Sequence, residues 1–259
     1  MAGEDDSSLV SRDWPEIARR IRARTPARIL VGRAGAAYRT GTQLELRAAH
    51  AAAMDAVRAE LDLASTFGAD FVKRWELFEV RTQAVDKDGF LLQPELGRHF
   101  RDASRAELSR RCSRGSDFQI AIGDGLSVPA VAAQVPALFS LLHAGARARG
   151  WTVGRGFVIR YCRVGILNEI GELLGSKTAV LLIGERPGLA TAESLSAYMA
   201  YRPCRTHSDA ERNLISNIHA RGTKPEDAAI RILNLVAQMM HTGASGYNVR
   251  EGPPAVLGD

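Results

Sequence analysis

The sequence predicts an α/β fold: an open, mostly parallel sheet with helices on both faces (Rossmann-like), preceded by a small, mainly helical N-terminal domain. Three short apolar runs, Phe118 to Ile122, Gly156 to Tyr161 and Thr178 to Ile183, alternate with longer stretches of helical periodicity. Strand–helix–strand order with near-continuous apolar strands is the pattern of a parallel sheet covered on both faces. Each run also ends in a glycine-bearing loop, as strand-to-helix turns require. Upstream of about residue 111 the apolar residues instead recur at helical spacing in alanine-rich surroundings. The chain therefore divides into 1–24, a tail and short helix, 25–110, the mainly helical domain, and 111–259, the α/β domain.

The first ten residues are polar and expected to be disordered. Asp13 precedes Trp14-Pro15-Glu16, an N-cap followed by an early proline and a third-position glutamate. Trp14, Ile17 and Ile21 share one face of the helix so started, and Thr25-Pro26 ends it. The segment ILVGRAGAAYRTGTQ is punctuated by glycine and irregular. From about Thr42 the residues Leu44, Leu46, Met54, Val57 and Leu61 set a second helical pattern. Asp86-Lys87-Asp88-Gly89 is a turn, flanked by a short hairpin or by the ends of two helices.

The strand at 118–122 leads through GDGLS into the apolar stretch VPAVAAQVPALFSLLHAGARARG, a helix with Pro136 as its point of bending. The strand at 156–161 leads into a helix whose apolar face carries Val164, Ile166 or Leu167, Ile170 and Leu174. The strand at 178–183 stops in Gly184-Glu185-Arg186-Pro187-Gly188. Two capping boxes follow: Ser208 with Glu211 ahead of DAERNLISNIHARG, and Thr223 with Glu226 ahead of PEDAAIRILNLVAQMM.

At 259 residues and 28.1 kDa the chain is long enough to bury a large core, with the 46% hydrophobic and 24% charged content of a globular protein. No apolar run approaches the roughly 20 residues of a membrane span, and the start MAGEDDSS is acidic, unlike a secretory signal. The chain is expected to stay in the cell, with no membrane partner. Cys112, Cys162 and Cys204 are odd in number and lack CxxC spacing, which reads as reduced, mostly buried thiols. The net charge of +5 comes mostly from arginines scattered through helical patterns such as ARRIRAR. Without a lysine-rich tail or aromatic–basic alternation, this is a solvated basic face and not a nucleic-acid surface.

Ligands of open parallel sheets sit beyond the C-terminal ends of the strands. Three loops qualify: GDGLS (123–127), CRVG (162–165) and GERPG (184–188). None carries G-x-G-x-x-G, a P-loop or a G-x-S-x-G elbow, so a nucleotide-phosphate cradle and a serine hydrolase are both poorly supported. The six histidines are isolated and lack metal-ligand spacing. Asp124 and Glu185 stand on adjacent loops and suit an acid–base pair in a stand-alone small-molecule or nucleotide-binding enzyme. Glu185 reads equally well as a loop carboxylate paired with Arg186 or with a helix N-terminus.

The segments TPARILVGRAG, WELFEVRTQAVDKDGFLLQPELGR, FQIAIGDGLS, FVIRYCRVGILNEIGELLG, VLLIGERPGLATAESLSAYMAY and AERNLISNIHARGTKPEDAA cover almost the whole chain. Their order and wording resemble the small (light) subunit of adenosylcobalamin-dependent ethanolamine ammonia-lyase. The most specific combination is GERPGL followed by ESLS, then ISNIH and a GT-x-P turn. The resemblance implies a heteromeric lyase in which a large TIM-barrel subunit binds ethanolamine and carries the catalytic residues. The small subunit then clamps one side of adenosylcobalamin at the subunit interface, through Val164, Glu185 and Leu214. Val164 and Glu185 match the family's usual residues, whereas Leu214 stands where some relatives have cysteine. The chain has no Asp-x-His-x-x-Gly segment, so the resemblance implies a base-on cofactor. It also suggests a cytoplasmic location, including the interior of a bacterial microcompartment.

Overall fold

A computed structural model describes residues 16–25 and 33–252. The polar tail, the Asp13 cap, Trp14 and the 26–32 segment lie outside the described residues. Helix α1 (Glu16–Ala23) forms as its sequence suggests, but Ile17 and Ile21 are exposed and Ala18 is its buried residue. Strands β1 (Arg33–Ala34) and β2 (Ala37–Tyr38) make a minimal antiparallel pair around Gly35, whose φ is +62°. Helix α2 (Thr40–Arg58) leaves Leu44 and Met54 more than half exposed, while Leu61 just beyond it is buried. Two short helices follow: α3 (Leu63–Phe67), capped by the Asp62 carboxylate on the Ser65 amide, and α4 (Ala69–Arg74).

Strand β3 (Glu79–Arg81) comes next. The DKDG turn then proves to be a helix start: Asp86 accepts from the Gly89 amide at 2.8 Å and opens α5 (Lys87–Leu92). No hairpin forms there. Helix α6 (Asp102–Arg111) precedes the alternation expected from the apolar runs. That alternation comprises β4 (Phe118–Gly123), α7 (Val128–Ala148), β5 (Phe157–Arg160), α8 (Ile166–Leu174) and β6 (Thr178–Gly184). Ser127 caps α7, which continues through Pro136 without interruption.

Beyond β6 the chain departs from expectation. Strand β7 (Leu195–Tyr201) extends the sheet, and β8 (Asn213–Ile218) adds a further strand where the sequence predicts a helix over DAERNLISNIHARG. The Ser208–Glu211 capping box is present, yet it caps only the single 3-10 turn Asp209–Glu211. A register shift between Leu195 and Ala197 brings both Ile215 and Ile218 to the core. Spacing of three inside a strand imitates a helix. Helix α9 (Pro225–Thr242) does form, but its N-cap is Lys224, with no side-chain bond, so the Thr223–Glu226 box is absent. Instead the Thr223 amide donates to the Asn217 carbonyl at 2.8 Å.

The six-stranded sheet has the order β3-β5-β4-β6-β7-β8. Pairs up to β6 are parallel, and β7 and β8 are antiparallel additions. Helices α7 and α9 cover one face, where Ile120, Val180 and Leu182 meet Val131, Leu138 and Ile232. Helices α6 and α8 cover the other, where Ala121, Phe157 and Leu181 meet Leu108, Ile166 and Ile170. Burying each large apolar side chain is worth about 1.5–3 kcal/mol, and strands β4 and β6 are buried along their whole length. Contrary to the reading of apolar runs, α7 is long and apolar enough to cross a membrane by length and composition. Its Val131, Val135, Leu138 and Leu142 are instead fully enclosed in the core.

Candidate functional site

The parallel strands β4, β5 and β6 end on one edge of the sheet, and their loops are packed against each other by glycines. At Gly125, with φ +56°, an added Cβ would lie 2.3 Å from the Gly184 carbonyl oxygen. The Leu126 amide donates to that same oxygen at 3.0 Å. Thus GDGLS is laid directly on the start of GERPG. Asp124 locks the third loop in place: its two carboxylate oxygens accept from the Tyr161 and Cys162 amides, each at 2.8 Å. Burial pushes its pKa up to about 6, against the opposing pull of the Lys87 charge and of these amides. With no exposed surface and both oxygens on backbone, Asp124 takes no part in the cleft described next. An acid–base pair of Asp124 with Glu185 is therefore not formed.

A cleft of about 340 Å³ opens at these loop ends. The structure brings Val164, Glu185 and Leu214 together in its lining. Val164 is half-buried on the loop after β5, and Leu214 is 43% exposed on β8, opposite Tyr198 of β7. Leu126 and Ile183 complete an apolar wall. Glu185 sits at its edge, half-buried, with Oε1 accepting from the Ser196 hydroxyl at 2.6 Å and the Asn217 amide at 2.9 Å. Its Oε2 makes no hydrogen bond among the described residues. Glu185 pairs neither with Arg186 nor with a helix N-terminus, because the chain beyond GERPG runs irregularly into β7.

The sequence does not single out the residues that fix Glu185. Asn217 holds φ at +60°, a left-handed conformation that Asn tolerates better than most non-glycine residues. Its Oδ1 contacts His219 Nε2 at 2.7 Å, while His219 Nδ1 accepts from the Arg221 amide at 3.2 Å. The ring proton therefore sits on Nε2, which donates to Asn217. Burial, then the neighbouring Arg221 charge, lowers the His219 pKa and keeps the imidazole neutral. Ser196 and Asn217 lie inside the ESLS and ISN segments. Their role comes from the β7 and β8 strands that were not foreseen.

The three cysteines are free thiols, and Cys112 and Cys162 are buried. Burial raises the Cys112 pKa to about 11 and holds that of Cys162 well above its usual value, so neither is a ready nucleophile. No grouping of His, Cys, Asp and Glu suited to a metal ion occurs among the described residues.

Residues 15–250 match the family described as ethanolamine ammonia-lyase light chain (EutC). Among curated proteins, the ethanolamine ammonia-lyase small subunit of Clostridium perfringens is 39% identical over 89% of this chain and 76% of its own length. That of Clostridium acetobutylicum is 39% identical over 89% of this chain and 93% of its own. The corresponding subunit of Fusobacterium nucleatum is 38% identical over 89% of this chain and 76% of its own.

Proposed function

This chain belongs to the ethanolamine ammonia-lyase light-chain family, and from that premise we propose that it is the cofactor-clamping, non-catalytic subunit of a two-component lyase. Its partner would be a large TIM-barrel subunit that binds ethanolamine, and its cofactor adenosylcobalamin, held between the two chains. The products are acetaldehyde and ammonia. The assembly works in the cytoplasm or inside a microcompartment.

The observation that carries this reading is the convergence of Val164, Glu185 and Leu214 on one cleft from three separate strand ends. Their chemistry fits a corrinoid edge. Val164, Leu214 and Tyr198 offer apolar surface to the rim of a macrocycle, and Glu185 offers a carboxylate to its peripheral amides, whose N–H groups are donors. Oε1 is held by Ser196 and Asn217, which turns Oε2 into the acceptor for that contact. The cleft is at the small end of the range for ligand pockets. It suits one edge of the cofactor and leaves the remainder to a second polypeptide.

When bound, the cofactor supplies homolysis of a cobalt–carbon bond and hence the radical chemistry. This chain's share is to hold and orient. The Asp124 bracket and the Gly125–Gly184 contact set the positions of the three loops. Asn217 and Ser196 fix the direction of Glu185, and Leu214 covers apolar surface against water.

Co-expression with a candidate large subunit, co-purification and an absorbance titration with adenosylcobalamin test the reading. A stable complex that binds the cofactor and turns over ethanolamine is expected. Turnover by this chain alone, or a complex with no cobalamin affinity, refutes it.

A further inference from the structure

A second, larger cleft of about 930 Å³ adjoins the first and shares Arg163 and Val164 with it. Five arginines line it, Arg98, Arg105, Arg163, Arg205 and Arg212, against the carboxylates of Glu169, Glu172 and Asp209. Each carboxylate already has an arginine: Glu169 pairs with Arg105, Glu172 with Arg205 and Asp209 with Arg212. Arg98 and Arg163 are left with no carboxylate partner among the described residues.

The fold holds these two cations close together. The Arg163 amide donates to the Gly97 carbonyl at 2.8 Å, and a Cβ at Gly97 would stand 2.6 Å from Arg163 Cγ. Likewise a Cβ at Gly165 would stand 3.0 Å from Arg98 Cγ, so the Arg98 side chain lies across the bare backbone that follows Val164. Arg163 rests on the Phe90 ring with its guanidinium carbon 4.3 Å from the centroid, and donates to the Phe90 carbonyl at 3.1 Å. Burial, then the charges of Arg186 and Arg98, holds the Arg163 pKa below its usual value. The Nε groups of Arg163 and Arg212 are buried with no acceptor. Like charges crowded together with donors left over are relieved by an anion, and guanidinium matches phosphate best.

We propose that this cleft takes the phosphodiester of the cofactor's nucleotide tail, with Arg98 and Arg163 as its ligands, while the corrin edge lies against the neighbouring Val164. The proposal rests on the cobalamin reading above and assigns the tail to this chain. Arg163 and Val164 are consecutive and each lines both clefts, so a single loop meets the apolar rim and the anionic tail.

The test uses the assembled two-subunit enzyme and absorbance titration with two corrinoids: adenosylcobalamin, and adenosylcobinamide, which lacks the phosphodiester and the nucleotide. Arg98→Gln and Arg163→Gln should each weaken adenosylcobalamin roughly 10-fold or more, the size of a lost charge-assisted hydrogen bond. Affinity for adenosylcobinamide should stay unchanged, and Arg163→Lys should recover part of the loss. Arg98 is exposed, so its variant carries the test even where Arg163→Gln impairs folding. Inorganic phosphate should compete with adenosylcobalamin and not with adenosylcobinamide. Equal losses for the two corrinoids, or no loss in the Arg98 variant, overturn the phosphodiester assignment and leave the clamp standing. Phosphate binding in the cleft without any effect on cobalamin affinity assigns it to a free anion and overturns the proposal as well. A wild-type complex that binds neither corrinoid refutes the cobalamin reading itself.

Discussion

Asn217, held at φ +60°, donates its backbone amide to Glu185 Oε1 at 2.9 Å across 32 residues of sequence. The carboxylate at the end of a parallel strand is thus aimed by a residue of the antiparallel edge. If Glu185 serves the cofactor, Glu185→Ala in the assembled enzyme should raise the dissociation constant for adenosylcobalamin roughly 10-fold, as expected for a lost hydrogen bond to a charged group. Co-purification of the two subunits should be unaffected. Unchanged affinity in the absorbance titration removes Glu185 from the site.

Asn217 separates backbone from side-chain effects. Asn217→Gly keeps the left-handed backbone easily and loses the bond to His219. Asn217→Ala loses the same bond and also pays the left-handed penalty of roughly 1–2 kcal/mol. The alanine variant should therefore unfold at lower urea than the glycine variant. Equal midpoints would mean that the backbone conformation is not what Asn217 contributes.

His219 should give the site a pH limit. Its native pKa lies below the ordinary 6.5, because burial and Arg221 disfavour the imidazolium. The unfolded chain therefore takes up the proton first as pH falls. The contribution of His219 is complete above about pH 6.5 and is lost as pH drops through the lower native value. Protonating Nδ1 also breaks the bond from the Arg221 amide. Urea midpoints of wild type and His219→Gln, compared between pH 7 and 5, should converge on the acidic side.

Asp124 has the opposite sign. Its native pKa is raised from 3.8 to about 6, so the native state holds the proton more tightly than the unfolded chain does. The stability it adds is fullest below pH 3.8 and declines as pH rises toward 6, by about 3 kcal/mol over two pKa units. The stability of wild type minus that of Asp124→Asn should fall across this window. Asparagine also sets an amide donor against one of the two backbone N–H groups, so the variant should be less stable than wild type near pH 4. A flat difference from pH 4 to 6 would show that the carboxylate is ionised throughout.

The glycine loops are unequal. Gly125→Ala would drive a methyl to within 2.3 Å of the Gly184 oxygen at φ +56°, and should cost roughly 2 kcal/mol or more. Gly188 has nothing within 4 Å of an added Cβ, and Gly188→Ala should stay within about 0.5 kcal/mol of wild type. Thermal melts of the two variants distinguish a packing glycine from a merely permissive one.

The sequence makes the parallel half of the sheet legible because β4, β5 and β6 are almost wholly buried and read as near-continuous apolar runs. It conceals the antiparallel half. In β8 the shifted register buries Ile215 and Ile218 at helical spacing, and the genuine capping box at Ser208 sits just ahead of it. The three residues named from family resemblance do share a cleft, yet composition and spacing alone do not identify them. Asn217 and Ser196 stay hidden because their importance is a matter of strand pairing. Asp124 misleads for a different reason: a carboxylate in a glycine loop looks catalytic until its oxygens are seen to serve backbone amides. The arginine-lined cleft escapes a linear reading because Arg98 and Arg163, far apart in sequence, are brought together through the turn at Gly97 and the loop at Gly165.

The cleft draws on β4, β5, β6, β7 and β8 together, with Glu185 tied to Asn217 and Gly125 pressed on Gly184. No local fragment of the chain can assemble it, so it appears only when the long-range pairings of the sheet are complete. Whatever binds there recognises the finished native state and stabilises it by RT ln(1 + [L]/Kd). A ligand of this cleft would therefore pass over a nascent or partly unfolded chain, and a chain that held it would resist unfolding as a whole.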